Sequence, residues 1–125
     1  MFTIDAVGAA SGVESATVRS WLARAPGFSI GRTDGRRRIF NQREALALLV
    51  AGEIVRRGYG TPSEVLPIAW RIAATPPDRT VWIHRTRDGE LTFSTGQPHD
   101  VAVAIPLAAL AARLPTTTKN KGTRT

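Results

Sequence analysis

Apolar residues recur at helical spacing from the start of the chain. In "TIDAVGAAS" (3–11), Ile4, Val7 and Ala10 fall three residues apart, with Thr3 placed to cap and Gly12 placed to stop. A second helical pattern runs over 14–24, "ESATVRSWLAR". Val18, Trp21, Leu22 and Ala25 form its apolar stripe, and Ser15, Ala16, Arg19, Ser20 and Ala23 fall on the opposite side. Two short helices about three residues apart around a glycine predict a helix-turn-helix. After Pro26-Gly27 the period changes to two. Phe28, Ile30 and Arg32 alternate with Ser29 and Gly31, Asp34-Gly35 offers a tight turn, and Arg36 to Phe40 reads as a returning strand. Alternation puts Arg36, Arg38 and Phe40 on one face and Arg37 and Ile39 on the other. A two-stranded hairpin in this place is a wing.

Asn41 and Glu44 then have the spacing of a capping box, ahead of a helix whose stripe is Leu46, Leu49, Val50 and Ile54. Thr61-Pro62-Ser63-Glu64 opens another helix, with Val65, Ile68, Ala69 and Ile72 at helical spacing. Pro67 is expected to kink that helix or delay its start. Thr75-Pro76-Pro77-Asp78 marks a boundary. Beyond it "VWIHRTRDGELTFS" reads as a second hairpin turned on Asp88-Gly89. A two-residue loop there would set His84 opposite Phe93 and Ile83 opposite Ser94. Trp82, His84, Leu91 and Phe93 would then share one face, and Val81 and Ile83 the other. "VAVAI" (101–105) reads as a third strand, and Pro106 opens a short helix through Leu114. The fold class is therefore α+β. Residues 1–75 form a winged helix-turn-helix, 79–114 a ββ(β)α segment and 115–125 a basic tail expected to be disordered, since 116–125 has no apolar residue.

Charge sharpens this picture. The 125 residues carry a net charge of +7. Nine arginines and five acids in 1–60 give +4, five and five in 61–115 cancel, and Lys119, Lys121 and Arg124 add +3. An excess placed on the helix-turn-helix half favours a polyanion. With no cysteine there is no disulfide, thiolate metal site or cysteine nucleophile. His84 and His99 stand apart with no acid cluster at ligand spacing, and no phosphate loop or nucleophile elbow is present, so neither an enzyme nor a cofactor is expected. No apolar run is long enough for a membrane span, and the start lacks the pattern of a secretory signal.

Three stretches together resemble one family. "TIDAVGAASGVESATVRSW", "GRRRIFNQREALAL" and "IVRRGYGTPSEV" are similar, in order and spacing, to MerR-like winged helix-turn-helix domains over residues 2–72. Phage excisionases and phage packaging subunits share this domain type. Glu14 stands where the family has Ser or Thr, so Ser15 is expected to cap the second helix. Pro76-Pro77 interrupts the long dimerising helix with which the family's regulators end.

The resemblance implies a double-stranded DNA partner, which would compensate the crowded Arg36, Arg37 and Arg38, one of them bracing the wing. Arg19 is the candidate for reading guanine or holding phosphate. Ser15, Ala16, Thr17 and Ser20 complete the exposed helix face, and Arg32 and Arg43 extend a phosphate track. Arg56 and Arg57 suit a helix C-terminus. Trp82, Ile83, Leu91, Phe93 and Val103 are expected to form a homodimer contact, with folding of the segment onto its own winged domain as the alternative. The expected function is a cytoplasmic, nucleoid-associated transcription regulator of bacterial or phage type. The alternatives are a phage architectural factor and an adaptor that binds RNA polymerase or a recombinase.

Overall fold

The computed structural model describes residues 1–24, 30–35, 37–76, 78–97 and 102–115. The predicted tail, Arg36, Phe28, Ala25 and His99 lie outside the described residues. The first strand, β1 (Phe2–Thr3), runs into α1 (Ile4–Ser11), where Thr3 Oγ1 accepts from the Ala6 amide at 3.1 Å. Gly12, with φ +76, ends α1 in the left-handed region. The buried Ser11 hydroxyl donates to the Gly8 carbonyl and accepts from the Val13 amide, both at 3.2 Å, and so fixes the turn. Then comes α2 (Ser15–Ala23), which buries Val18, Trp21 and Leu22 as its stripe predicts.

The wing consists of β2 (Arg32–Asp34) and β3 (Arg37–Phe40), with β1 on the other side of β3. Asp34 pairs with Arg37, so Asp34 belongs to the strand and not to the turn expected at Asp34-Gly35. Gly35 takes the left-handed position at φ +67, leaving Asp34 in the strand. The expected alternation survives this shift: Phe40 is buried, Arg38 and Ile39 are half-buried and Arg37 is exposed. β2 begins at Arg32, after Ile30 and Gly31, and the expected strand start at Phe28 lies outside the described residues.

The long helix α3 (Gln42–Arg56) opens with a complete capping box. Asn41 Oδ1 accepts from the Glu44 amide at 2.8 Å, and Glu44 Oε1 accepts from the Asn41 amide at 2.7 Å. Every residue from Ala45 to Ile54 is buried, not the single stripe the sequence suggests. The reason is that α3 is covered from all sides, by α1, by β3, by α4 (Pro62–Ile72) and by α5 (Leu107–Ala111). α4 starts at Pro62 under the Thr61 cap and continues across the exposed Pro67, so the proline neither ends nor delays it.

The C-terminal sheet has the order β5-β4-β6, formed by β4 (Thr80–Arg85), β5 (Leu91–Ser94) and β6 (Val103–Pro106). Its hairpin departs from expectation by one residue. Thr86 N–H donates to Glu90 O at 2.8 Å, Gly89 N–H donates to Thr86 O at 2.9 Å, and Gly89 has φ +87. This is a three-residue loop with glycine in the left-handed position. Ile83 therefore faces Phe93 and His84 faces Thr92. A one-residue slip exchanges the faces. Val81, Ile83, Leu91 and Ile105 are buried inside, with Phe93 and Val103 packed against them, while Trp82 and His84 lie on the other face. Of the expected dimer contacts, Ile83 and Leu91 are thus interior residues of this same chain, and Phe93 and Val103 point the same way.

The core does not divide at the Thr75–Asp78 boundary: one apolar cluster runs from Phe2 to Leu114. Two arginines reinforce that union. Arg85 donates to Glu64 Oε2 at 2.8 Å and to the Tyr59 carbonyl at 2.7 Å, tying β4 to the α3–α4 loop. Arg113 reaches Glu53 of α3 at 3.3 Å. Glu53 is 6% exposed and also pairs with Arg56, and with Arg57 at 3.2 Å. Arg56 and Arg57 are therefore partners of a buried carboxylate, beyond the helix-end role expected of them.

Burial pushes the Glu53 carboxyl up, but hydrogen bonds from Arg57 and Arg113 and the charge of Arg56 outweigh it, so its pKa lies below the usual 4.5. A carboxyl depressed in the folded state contributes stability above its unfolded value that is lost as pH falls through the folded one. Glu53→Gln should destabilise the chain by about 1–3 kcal/mol at neutral pH. Urea melts at pH 7 and below pH 4 should show that gap closing on acidification.

Candidate nucleic-acid interface

The three-residue connection 12–14 sets α2 against α1 closely enough that a Cβ on Gly8 would lie 2.8 Å from the Val13 carbonyl. This leaves Ala16 and Arg19 exposed and Ser15, Thr17 and Ser20 half-exposed. Glu14 holds the N-cap backbone position with no side-chain cap. Ser15 does not take that role, as its hydroxyl donates to Asp5 Oδ1 of α1 at 2.6 Å. The serine bridges the two helices instead of capping one.

The wing is anchored from both ends. Glu44 Oε2 accepts from the Gly31 amide at 2.8 Å, so the carboxylate that caps α3 also holds the approach to β2. Gly31 has φ +83, and a Cβ there would lie 2.6 Å from the Phe40 ring, so only glycine fits. From the other strand, Arg38 Nη2 donates to the Ile30 carbonyl at 2.6 Å, and its guanidinium lies 5.9 Å from the Phe40 ring centroid. Arg38 is thus the bracing arginine that the sequence foresaw without identifying. Arg37, one residue earlier, is exposed on the other face.

These elements meet in one place. Arg19 of α2 and Arg37 and Arg38 of the wing line a single cleft of about 390 Å³, floored by Thr3, Ile4 and Asp5. Arginines from α2 and from the wing thus border one concavity, and the planar fork of an arginine matches the oxygens of a phosphate in pairs. Ala16, Thr17 and Ser20 line a neighbouring depression with Trp21, Arg24, Pro62 and Ser63, between α2 and the start of α4. The exposed face of α2 is therefore flanked by the wing cleft and by the α4 end.

Not every predicted contact reaches this surface. Arg43 stacks on Trp70, 3.7 Å from the ring centroid, and donates to the Trp70 carbonyl at 3.0 Å. That pairing links α3 to α4 through an exposed cation–π contact. Arg32 is exposed on β2, with its guanidinium toward Met1 Sδ at 3.6 Å. Asp5 and Glu44 were missed as site residues. Glu44 carried a signal, its capping-box spacing, but Gly31 as its second partner is a tertiary contact. Nothing local to Asp5 announces its place in an arginine-lined cleft.

Two short helices joined by a tight turn, followed by a β wing that packs with β1 against α1 and α3, define a winged helix-turn-helix domain. Residues 2–62 match the model of the MerR HTH family regulatory proteins, and this half of the chain is a MerR HTH domain. Domains of that family bind DNA in regulators of transcription. The match ends in the first turn of α4, so the C-terminal sheet and α5 lie outside it. Searches of curated proteins and of solved structures returned no match. Among the described residues, no helix is long and apolar enough to cross a membrane, and no group of metal-ligating side chains converges.

The two wing arginines should behave differently. Arg37→Ala should weaken DNA binding with melting unchanged, as an exposed side chain that braces nothing. Arg38→Ala should also cost about 1–2 kcal/mol of stability, by removing a charged donor from a carbonyl. Thermal melts alongside anisotropy titrations with duplex DNA check the difference.

Proposed function

We propose that the chain is a sequence-specific double-stranded DNA-binding protein and acts as a transcription regulator of bacterial or phage type. The observation that carries this reading is the shared cleft of Arg19, Arg37 and Arg38. Its support is the MerR HTH domain over residues 2–62. In this reading α2 enters the major groove, and Arg19 reads a guanine through O6 and N7. The wing follows the adjacent backbone, with Arg37 and Arg32 on phosphate and Arg38 holding the wing rigid. Ala16, Thr17 and Ser20 face the groove floor and the nearer phosphates. No cofactor enters the mechanism.

A second reading, an architectural factor that loads side by side on adjacent sites, is favoured by one observation. Four of the expected dimer contacts face inward, and Met1 is the one large apolar side chain exposed among the described residues. Trp82, the remaining expected dimer contact, is half-exposed on the outer face of the C-terminal sheet. Footprinting separates the two: a discrete inverted repeat fits a dimeric regulator, and cooperative spreading along the duplex fits the architectural factor.

Binding should weaken with salt by about 0.9 log unit per phosphate contact per log unit of salt. Arg37→Ala should lower that slope by about one contact, uniformly across sequences. Arg19→Ala should instead cost about 1–3 kcal/mol on a site selected from random DNA and less on unrelated duplexes. Affinity that ignores salt in the wild type would overturn the reading.

A further inference from the structure

The arginine cleft contains one carboxylate, and its placement is specific. Asp5 sits in the first turn of α1 and lines the same concavity as Arg19, Arg37 and Arg38. Its Oδ1 accepts the Ser15 hydroxyl at 2.6 Å, a short charge-assisted bond from the first residue of α2. Among the described residues, no arginine lies within ion-pairing distance of it. The lining of the cleft therefore combines three arginines, one of them tied to the Ile30 carbonyl, with one acidic residue contributed by α1. A carboxylate in a surface meant for phosphate opposes binding, which calls for a physical account.

We infer that Asp5 is a specificity-determining residue: it excludes phosphate from the α1–α2 wall of the cleft and so confines the DNA backbone to the wing wall. This rests on the DNA-binding reading above. Unselective binding comes from phosphates settling wherever arginines collect, in any register. A like charge held in one position penalises the registers that bring a phosphate beside it and leaves the others alone. The favoured register sets the backbone against Arg37 and Arg32, and Arg19 is then free to meet a base edge. Ser15 is a positioning residue in this scheme. It aims the carboxylate and spends on it the hydroxyl that would otherwise donate to a phosphate.

Two substitutions separate charge from geometry. Asp5→Asn keeps an acceptor for Ser15 and removes the charge, whereas Ser15→Ala keeps the charge and removes the tether. The probes are a duplex recovered by selection from a random pool with the wild-type chain and a scrambled duplex of equal length, read by anisotropy at low and moderate salt. Asp5→Asn should bind the scrambled duplex about fivefold tighter at low salt, the scale of one unit-charge repulsion at contact distance in water. The selected duplex should gain less, so the ratio between the two falls. Ser15→Ala should also lower that ratio, through weaker binding of the selected duplex. An unchanged ratio in Asp5→Asn, or equal loss on both duplexes with an unchanged melt, would overturn the role of Asp5. Salt-independent binding by the wild type, or full binding by Arg37→Ala, would instead overturn the DNA reading on which it rests.

Discussion

The structure depends on α3 being buried around its whole circumference. Ten consecutive residues, Ala45 to Ile54, are withdrawn from water, and the elements that cover them come from both halves of the chain. Once α3 is the axis, the positions of α1, the wing and α4 follow, because each has an apolar side that fits against it. Gly52 shows how tight this is: a Cβ there would meet Ser11 and Val13 at 3.4 Å, so α3 touches the helix-turn-helix connection directly. α1 and the wing both pack on α3, α2 packs on α1, and arginines of α2 and the wing line a common cleft.

The arginines divide into struts and free charges. Arg38, Arg43, Arg85 and Arg113 each hold a carbonyl or carboxylate of a distant element. The hydrogen bond from Arg85 holds the Glu64 carboxyl below the usual carboxylate range. Arg19, Arg32 and Arg37 remain exposed around the α2–wing surface. A net charge of +7 therefore overstates what is available to a polyanion, and the local arrangement states it better.

Much of the winged domain was legible because its signals are local. Caps at Thr3, Asn41 and Thr61, the stop at Gly12, and the period-two stretch before Asn41 each depend on a few neighbouring residues. The second hairpin failed at its register, since Asp88-Gly89 suits both a two-residue loop and a three-residue loop, and only the sheet partners decide. That single residue carried Ile83 from a presumed interface into the core. Long-range links left no trace in the sequence. Glu53 and Arg113 stand sixty residues apart, and Arg43 finds Trp70 only after α4 has packed. Arg19 of α2 and Arg37 and Arg38 of the wing lie on two adjacent local motifs and line one cleft. Which of them brace and which remain free was not legible, since that is settled by carbonyls elsewhere in the fold.

The central claim is that α2 and the wing form one surface for a duplex. Amide and guanidinium NMR spectra of the labelled chain, recorded while a short duplex is titrated at low salt, test it most directly. The account predicts shifts concentrated in 15–20, 32–38 and Asp5, with the Trp82 and His84 face of the C-terminal sheet unmoved. Shifts confined to that sheet, or divided between α2 and a wing that does not respond, would contradict it.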